Sequence, residues 1–516
     1  MLVAAAAGAR AADDAAIAAG IPSRALMQRA GAAAAAEIAR RFSGEVAAGV
    51  VVATGAGNNG GDGWVVAAAL HAVGIKVRVV ECLPARTPDA RAERDEAIAS
   101  GVAHTASIDD LLAGTERIAV DAILGTGFRS NAALEGDVAR SVEALIRRQR
   151  RDDTRIVALD VPSGMDASTG HDVGGLRCVV TLTFGTLKRG HVVARAGCGD
   201  LVLLDIGLGA HARASLGMPL ATPDWFRAAL PAIPADAHKG TRKKIAIVGG
   251  AAGMAGAVIL AARAALRSGA GLVKCVVAPE SLQAVQEAES AALAAPWPAD
   301  DESMRATIGE WADAVLIGPG LGRAGARAFV ERVTRAYRGP IVLDADALNA
   351  FAGDAGALAT LLTGREALLT PHPAEFARLA GRSVDDVLRE RFDLPSRLAA
   401  TTGAAVLLKG VPTVVSASNG DTTVIAEGTP VLATGGAGDM LGGIAATLLA
   451  QTGDAARAGA LAAYAHGKAA WLVSARDVRG YALDDVLLAL PVVWSLPAAA
   501  PRPPVLAELP AVGERP

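Results

Sequence analysis

Short apolar runs, each breaking into a glycine-, serine- or acid-rich turn, constrain the fold of this chain more than any other feature. In the first half they are Val50–Ala53, Val77–Glu81, Ile118–Ala122, Arg155–Asp160, Val179–Phe184 and Leu201–Asp205. In the second half they are Lys244–Val248, Gly271–Val277, Ala314–Ile317, Ile341–Leu343, Ala367–Leu369 and Ala405–Leu408. Several are apolar at consecutive positions, as expected for strands buried on both faces. Helical patterns lie between them, so the rhythm is βαβ and the expected class is α/β with mostly parallel sheets. One hairpin is expected as well, Thr413–Ser416 and Thr422–Ile425, turned at Ser418-Asn419-Gly420-Asp421.

A length of 516 residues favours two or more domains. The expected division is 1–215, 216–496 and a Pro/Ala-rich tail, 497–516, that frays. Prolines 219, 223, 231 and 234 mark the junction of the two large parts. With 52% hydrophobic but only 3% aromatic residues, the cores must be aliphatic. A net charge of -3 with no basic block argues against nucleic acid as a partner. No long charge-free apolar run suggests a membrane span. Four cysteines without ligand spacing read as reduced thiols of a cytoplasmic protein. A homo-oligomer is left open.

Two glycine-rich segments stand out. The first, Gly55-Ala56-Gly57-Asn58-Asn59-Gly60-Gly61-Asp62-Gly63, follows an apolar run and precedes a helix expected from Trp64. Its backbone N–H groups and the helix dipole suit an anion. It is neither GxGxxG nor a Walker A loop, and a tight strand-to-helix turn is the bland alternative. Other strand ends add to it: Asp121 to Gly127, and Asp160-Val161-Pro162-Ser163-Gly164. If those strands are neighbours, Asn59, Asp121 and Ser163 converge as oxygen donors for a hard cation. With one carboxylate, a monovalent ion is the easier to neutralise. Asp160 lies beside them as a proton-transfer group, and its burial is expected to raise its pKa toward the working pH.

These motifs, with Thr183 to Gly190 and Leu26-Met27-Gln28-Arg29-Ala30-Gly31, resemble the YjeF N-terminal family, the NAD(P)H-hydrate epimerases. The resemblance covers roughly residues 10–210 and implies a Rossmann-like three-layer sandwich. It implies a site that interconverts the C6 epimers of hydrated NADH and NADPH. Asn58, Asn59, Gly60, Gly61 and Asp62 would hold the nucleotide, and Asn59, Asp121 and Ser163 would bind potassium. Gly125, Thr126, Gly127, Phe128, Arg129, Ser130 and Asn131 would close over it, with Asp160 as acid/base. Gln28 departs from the family's usual Glu.

The second segment, Thr434-Gly435-Gly436-Ala437-Gly438-Asp439, opens a helix. Its glycines suit an anion hole for phosphoryl transfer, with Asp439 placed to take a proton from an attacking hydroxyl. The alternative is a flexible loop capped by Asp. Three further segments end strands: Gly318-Pro319-Gly320-Leu321-Gly322, Asp344 to Asn349, and Thr370-Pro371-His372-Pro373-Ala374-Glu375. His372, between two prolines, reads by itself as a rigid turn residue. Lys409-Gly410-Val411-Pro412-Thr413 offers a cation and a hydroxyl for phosphates.

With His238-Lys239-Gly240-Thr241 and Val248-Gly249-Gly250, this ordered set resembles the YjeF C-terminal family over about 225–495. That family comprises ADP- or ATP-dependent NAD(P)H-hydrate dehydratases with a ribokinase-like fold. The resemblance implies Asp439 as catalytic base. It places the adenine nucleotide on Lys409, Gly410, Val411, Pro412, Thr413 and Gly438, and the hydrated dinucleotide on Ala257, Gly320, Gly322, His372 and Asp439. Magnesium would bridge the phosphates, with Glu375 an indirect ligand. Residues 426–432 and 287–291 depart from the family pattern. Together the two resemblances imply a bifunctional repair enzyme that epimerises hydrated NAD(P)H and dehydrates the S form at the expense of ADP or ATP, yielding AMP and phosphate from ADP. The rival readings are a ribokinase-like small-molecule kinase fused to a nucleotide-binding module, and a first half that binds without turnover.

Overall fold

The computed structural model describes residues 1–130, 133–474, 478–497 and 502–512. The chain divides into two compact units, Met1–Pro219 with Ala500–Pro516, and Leu220–Ala499. Among the described residues, no helix is long and apolar enough to cross a membrane. All four cysteines are free and buried.

The first unit is built on an eight-stranded sheet. Its order is Val505–Leu509, Asp200–Leu204, Val180–Phe184, Arg155–Leu159, Ile118–Ala122, Val50–Thr54, Val77–Glu81 and Ala103–Thr105. All neighbours are parallel except the first pair. The central strands are buried at every position, which is why apolar residues dominate them, interrupted by the buried Thr54, Asp121, Thr181 and Thr183. The chain runs outward from Val50–Thr54 in one direction, then restarts at Ile118–Ala122 on its other side. That reversal is the switch point at which open α/β sheets bind ligands. A small second sheet joins Met218–Pro219, Leu2–Ala4 and Leu187–Lys188.

Two expectations are corrected here. The tail does not fray throughout: Val505–Leu509 pairs antiparallel with Asp200–Leu204 and closes that edge of the sheet. Glu508 reaches Arg41 at 2.6 Å, and the Ala511 N–H donates to Asp200 at 2.8 Å. Only long-range pairing made this Pro-rich stretch a strand. The helix after the first glycine segment begins at Asn58, not Trp64. The Asn-Asn-Gly-Gly-Asp run is therefore its first turns, low helix propensity notwithstanding.

The second unit has a nine-stranded sheet. Its order is Leu293–Pro296, Leu272–Val277, Lys244–Val248, Ala314–Ile317, Ile341–Leu343, Ala367–Leu369, Ala405–Leu408, Thr413–Ser416 and Thr422–Ile425. It is parallel until Ala405–Leu408, after which the hairpin continues antiparallel. The direction reverses between Lys244–Val248 and Ala314–Ile317. The loops leaving those strands lock together, with Gly250 N–H donating to the Pro319 carbonyl at 2.9 Å and Ala251 N–H to Gly320 at 2.7 Å. The buried helix Ala437–Thr452 crosses this sheet and carries Asp439 in its first turn.

Candidate functional sites

In the first unit, Val50–Thr54, Ile118–Ala122 and Arg155–Leu159 are successive neighbours, so their ends bring Asn59, Asp121 and Ser163 together. Ser163 Oγ donates to Asp121 Oδ1 at 2.6 Å, and Ser163 N–H to Asp121 Oδ2 at 2.7 Å. Leu124 N–H donates to Ser163 Oγ at 2.9 Å. Asn59 Nδ2 donates to the carbonyls of Leu124 and Leu159, at 2.8 and 3.2 Å. Its Oδ1 is buried without a partner. Burial raises the Asp121 carboxyl to about 6, offset only by neutral donors. An unsatisfied buried oxygen beside a carboxylate that lacks a counter-charge fits a monovalent cation.

Asp160 sits at the end of Arg155–Leu159 with a left-handed backbone, φ +61°. The expectation that burial raises its pKa is overturned. Burial pushes the carboxyl up, but the Lys188 ammonium at 2.5 Å outweighs it and holds Asp160 below the ordinary range. The raised groups are its neighbours. Burial and then the Asp160 charge push Asp62 well above the usual carboxylate range. Burial lifts Asp13, on the helix Ala6–Ala18, to about 6. Asp13 and Lys188 were missed as site residues because they reach the site only through the small sheet, in which Ala4 lies opposite Lys188.

Asn58 is exposed at the helix start, whereas Gly60 and Gly61 are buried. A Cβ at Gly55 would stand 1.9 Å from the Ile123 carbonyl oxygen, and one at Gly60 2.0 Å from that of Gly55. These glycines are required by close packing of the helix on the strand ends. Gly125 lies against Asn59 and Asp160. The Phe128 N–H donates to Gly125, and the Arg129 guanidinium folds back on the Thr126 and Phe128 carbonyls. Ser130 continues that loop, and Asn131 lies outside the described residues.

In the second unit, Lys409 leaves Ala405–Leu408 and donates to Asp344 Oδ1 at 2.6 Å, which Thr370 Oγ1 also reaches at 2.9 Å. Burial disfavours the Lys409 charge, but Asp344 and Glu375 outweigh it and hold the ammonium above its ordinary range. Asp439 is N3 of its helix, after Gly436 in a left-handed conformation, φ +95°. Burial, reinforced by Asp344, raises the Asp439 carboxyl to about 7 despite Lys409. Gly438 faces this pair: a Cβ there would stand 3.1 Å from Lys409 Nζ and 3.8 Å from Asp344 Oδ2. A Cβ at Gly435 would meet nothing within 4 Å.

The remaining residues have mixed roles. A Cβ at Gly320 would approach Ala257 Cβ to 3.2 Å, so those two are adjacent, and Gly322 N–H donates to Asp346 at 2.9 Å. His372 caps the helix Pro373–Ala380: its Nδ1 accepts from Ala374 and Glu375, while Glu375 accepts from His372 N–H at 2.9 Å. It is the rigid turn residue its prolines suggested. The Thr413 hydroxyl donates to the Gly410 carbonyl at 2.7 Å. Within the Lys409–Thr413 loop, Gly410 is exposed and Pro412 buried, and Arg391 donates to the Val411 carbonyl at 3.3 Å. Asp344 was named from sequence only within its strand-end segment and given no role, and Arg391 and the buried His466, whose Nε2 lacks a partner, were not singled out. A strand-end acid such as Asp344 was the available signal, while Arg391 and His466 had none.

A family profile described as NAD(P)H-hydrate dehydratase matches residues 245–491. One described as YjeF-related protein N-terminus matches residues 23–190. The bifunctional NAD(P)H-hydrate repair enzyme of Moorella thermoacetica is 36% identical over 505 residues, 92% of this chain and 92% of the relative. This chain belongs to the bifunctional NAD(P)H-hydrate repair enzymes. The Escherichia coli member is 34% identical over 85% of this chain and 84% of its own length. Among solved structures, the ADP/ATP-dependent NAD(P)H-hydrate dehydratase of Bacillus subtilis, co-crystallized with ATP/Mg2+, is 28% identical with a TM-score of 0.48, covering 54% of this chain and 98% of that one. Repair enzymes of this family pair an epimerase half with a dehydratase half, and this chain has both.

Proposed function

We propose that the first unit interconverts the C6 epimers of hydrated NADH and NADPH, and that the second dehydrates the S epimer using ADP or ATP. The observation that supports this most is Asp439: a carboxyl raised to about 7, in the first turn of a glycine-opened helix, beside the Lys409–Asp344 pair. A base of that pKa takes the proton of the substrate's C6 hydroxyl as the hydroxyl attacks a terminal phosphoryl group. Backbone N–H groups of Gly435 to Gly438 and the helix dipole stabilise the phosphate charge, and Lys409 adds a fixed cation. Phosphorylation converts hydroxide, a poor leaving group, into phosphate, and departure of phosphate from C6 with loss of a proton from C5 to solvent restores the double bond. From ADP the products are AMP and phosphate.

Magnesium, when bound, would supply positive charge to the nucleotide phosphates. Such an ion keeps water and phosphate ligands and needs few carboxylates from the chain, which suits Glu375, buried and within electrostatic reach of Lys409. Lys409, Gly410, Val411, Pro412, Thr413 and Gly438 would hold the adenine nucleotide. Ala257, Gly320, Gly322 and His372 would face the dinucleotide. In the first unit, Asn59, Asp121 and Ser163 would hold potassium, Asn58 to Asp62 and the loop from Gly125 would hold the substrate, and Asp160 would move protons at C6. The enzyme works in the cytoplasm, where its thiols stay reduced.

The test incubates the protein with mixed hydrated NADH epimers, ADP or ATP, and magnesium. Recovery of reduced-nicotinamide absorbance beyond the share of one epimer is the expected result. Absence of any nucleotide-dependent recovery overturns the reading.

A further inference from the structure

Lys188 has no assigned part in the site, yet its environment is built. Its side chain is 3% exposed. The ammonium donates to Asp160 Oδ1 at 2.5 Å, Thr183 Oγ1 at 2.8 Å and the Phe184 carbonyl at 3.3 Å, which uses all three hydrogens. Thr183 in turn donates to Asp160 Oδ1 at 3.2 Å. The Lys188 N–H donates to His191 Nδ1 at 3.2 Å, fixing the backbone from which the side chain projects. A buried ion pair persists when further hydrogen bonds satisfy its members, and this one is satisfied on the lysine side.

Other charges face the same ammonium. Asp13 approaches from the helix Ala6–Ala18, with Arg10 and Asp14 nearby, and Asp62 from the helix Asn58–Ala72, with Glu93 nearby. His191 follows in the short helix Arg189–Val193, and burial and Lys188 push it down to about 3, so it is neutral. Three carboxyl groups thus share one buried cation. The one in direct contact, Asp160, is the one whose charge is compensated.

We propose that Lys188 is a positioning residue for epimerisation: its hydrogen-bonded ammonium orients the Asp160 carboxylate and keeps it in the base form that takes a proton at C6. The split into one depressed and two raised carboxyls is the pattern by which neighbouring acids divide base and acid roles. Exchange at C6 breaks the C6–O bond as the ring-nitrogen lone pair forms a C=N bond. A proton goes to the departing hydroxyl, which leaves as water. Water then adds from the opposite face, the electron pair returns to nitrogen, and a proton returns to the cluster, so the net proton change is zero. The proposal rests on reading the first unit as the epimerase and Asp160 as its acid/base.

The experiment compares kcat, KM and the pH profile of epimerisation for Lys188→Met, Lys188→Arg and Asp160→Asn in the full chain. Lys188→Met is expected to lower kcat by about 10²-fold with little change in KM. It should also move the acid limb to higher pH, because Asp160 then holds its proton without a counter-charge. Lys188→Arg keeps the cation and should restore most of kcat and the original limb. Wild-type kcat and an unmoved limb in Lys188→Met, with Asp160→Asn inactive, overturn the lysine's role alone. Wild-type turnover by Asp160→Asn overturns the underlying reading too. If Lys188→Met does not fold, Lys188→Arg decides: near wild-type turnover supports the proposal, and a loss as large as that of Asp160→Asn overturns it.

Discussion

The two glycine-rich helix starts look alike in sequence but differ in what packs on their tightest glycines, backbone carbonyls in the first and the Leu260 side chain in the second. At Gly55 and Gly60 an added Cβ would lie about 2 Å from a backbone carbonyl, so these glycines admit protein. At Gly435, as at Gly57 of the first segment, an added Cβ would meet nothing within 4 Å, so those positions face open space. Their acids differ as well. Asp62 lies in a shared cluster with Asp13, Asp160 and Lys188, whereas Asp439 stands at N3 facing the Lys409–Asp344 pair. A glycine run therefore marks close approach without saying what approaches.

The strongest way to break this comparison is Asp439→Asn. It should cut nucleotide-dependent dehydration by on the order of 10²–10⁴-fold while epimerisation continues. Rates for separated epimers, followed by nicotinamide absorbance and chromatography, check both halves in one protein. An equal loss of both activities would mean the acids are not independent.

Next comes pH. A carboxyl raised to about 7 keeps its proton to higher pH, so the base form of Asp439 is depleted as pH falls through that value. Dehydration at saturating nucleotide should decline about tenfold per pH unit below it. Asp160, held below the ordinary carboxylate range by Lys188, stays ionised over the same window, so epimerisation should not follow that decline. Parallel pH profiles would refute the contrast.

Substituting the glycines themselves sharpens it further. Gly60→Ala should destabilise the first unit by about 1–3 kcal/mol through overpacking, seen in thermal unfolding. Gly435→Ala should leave stability within about 0.5 kcal/mol but raise KM for ADP or ATP several-fold. The last expected effect, from removing residues 502–516, is confined to stability. Loss of the edge strand Val505–Leu509 should cost the first unit roughly 1–2 kcal/mol and leave dehydration intact.

The sequence by itself determined the elements and most strand ends. Runs such as Val77–Glu81, Ile118–Ala122 and Lys244–Val248 were legible because strands buried on both faces are dominated by apolar residues, Arg78, Glu81, Asp121 and Lys244 notwithstanding. The Asn-Gly turn of the Thr413–Ser416 hairpin was equally local. Asn59, Asp121 and Ser163 could be grouped because strand ends in a parallel sheet share one edge. Tertiary structure decided what local pattern cannot encode. It paired Lys409 with Asp344, 65 positions away, and Lys188 with Asp160, 28 positions away. It turned a Pro-rich tail into a strand by offering it an edge. It also reversed the expected shift of Asp160, because a buried carboxyl rises or falls according to the charge beside it, and that neighbour is set only when distant strands meet.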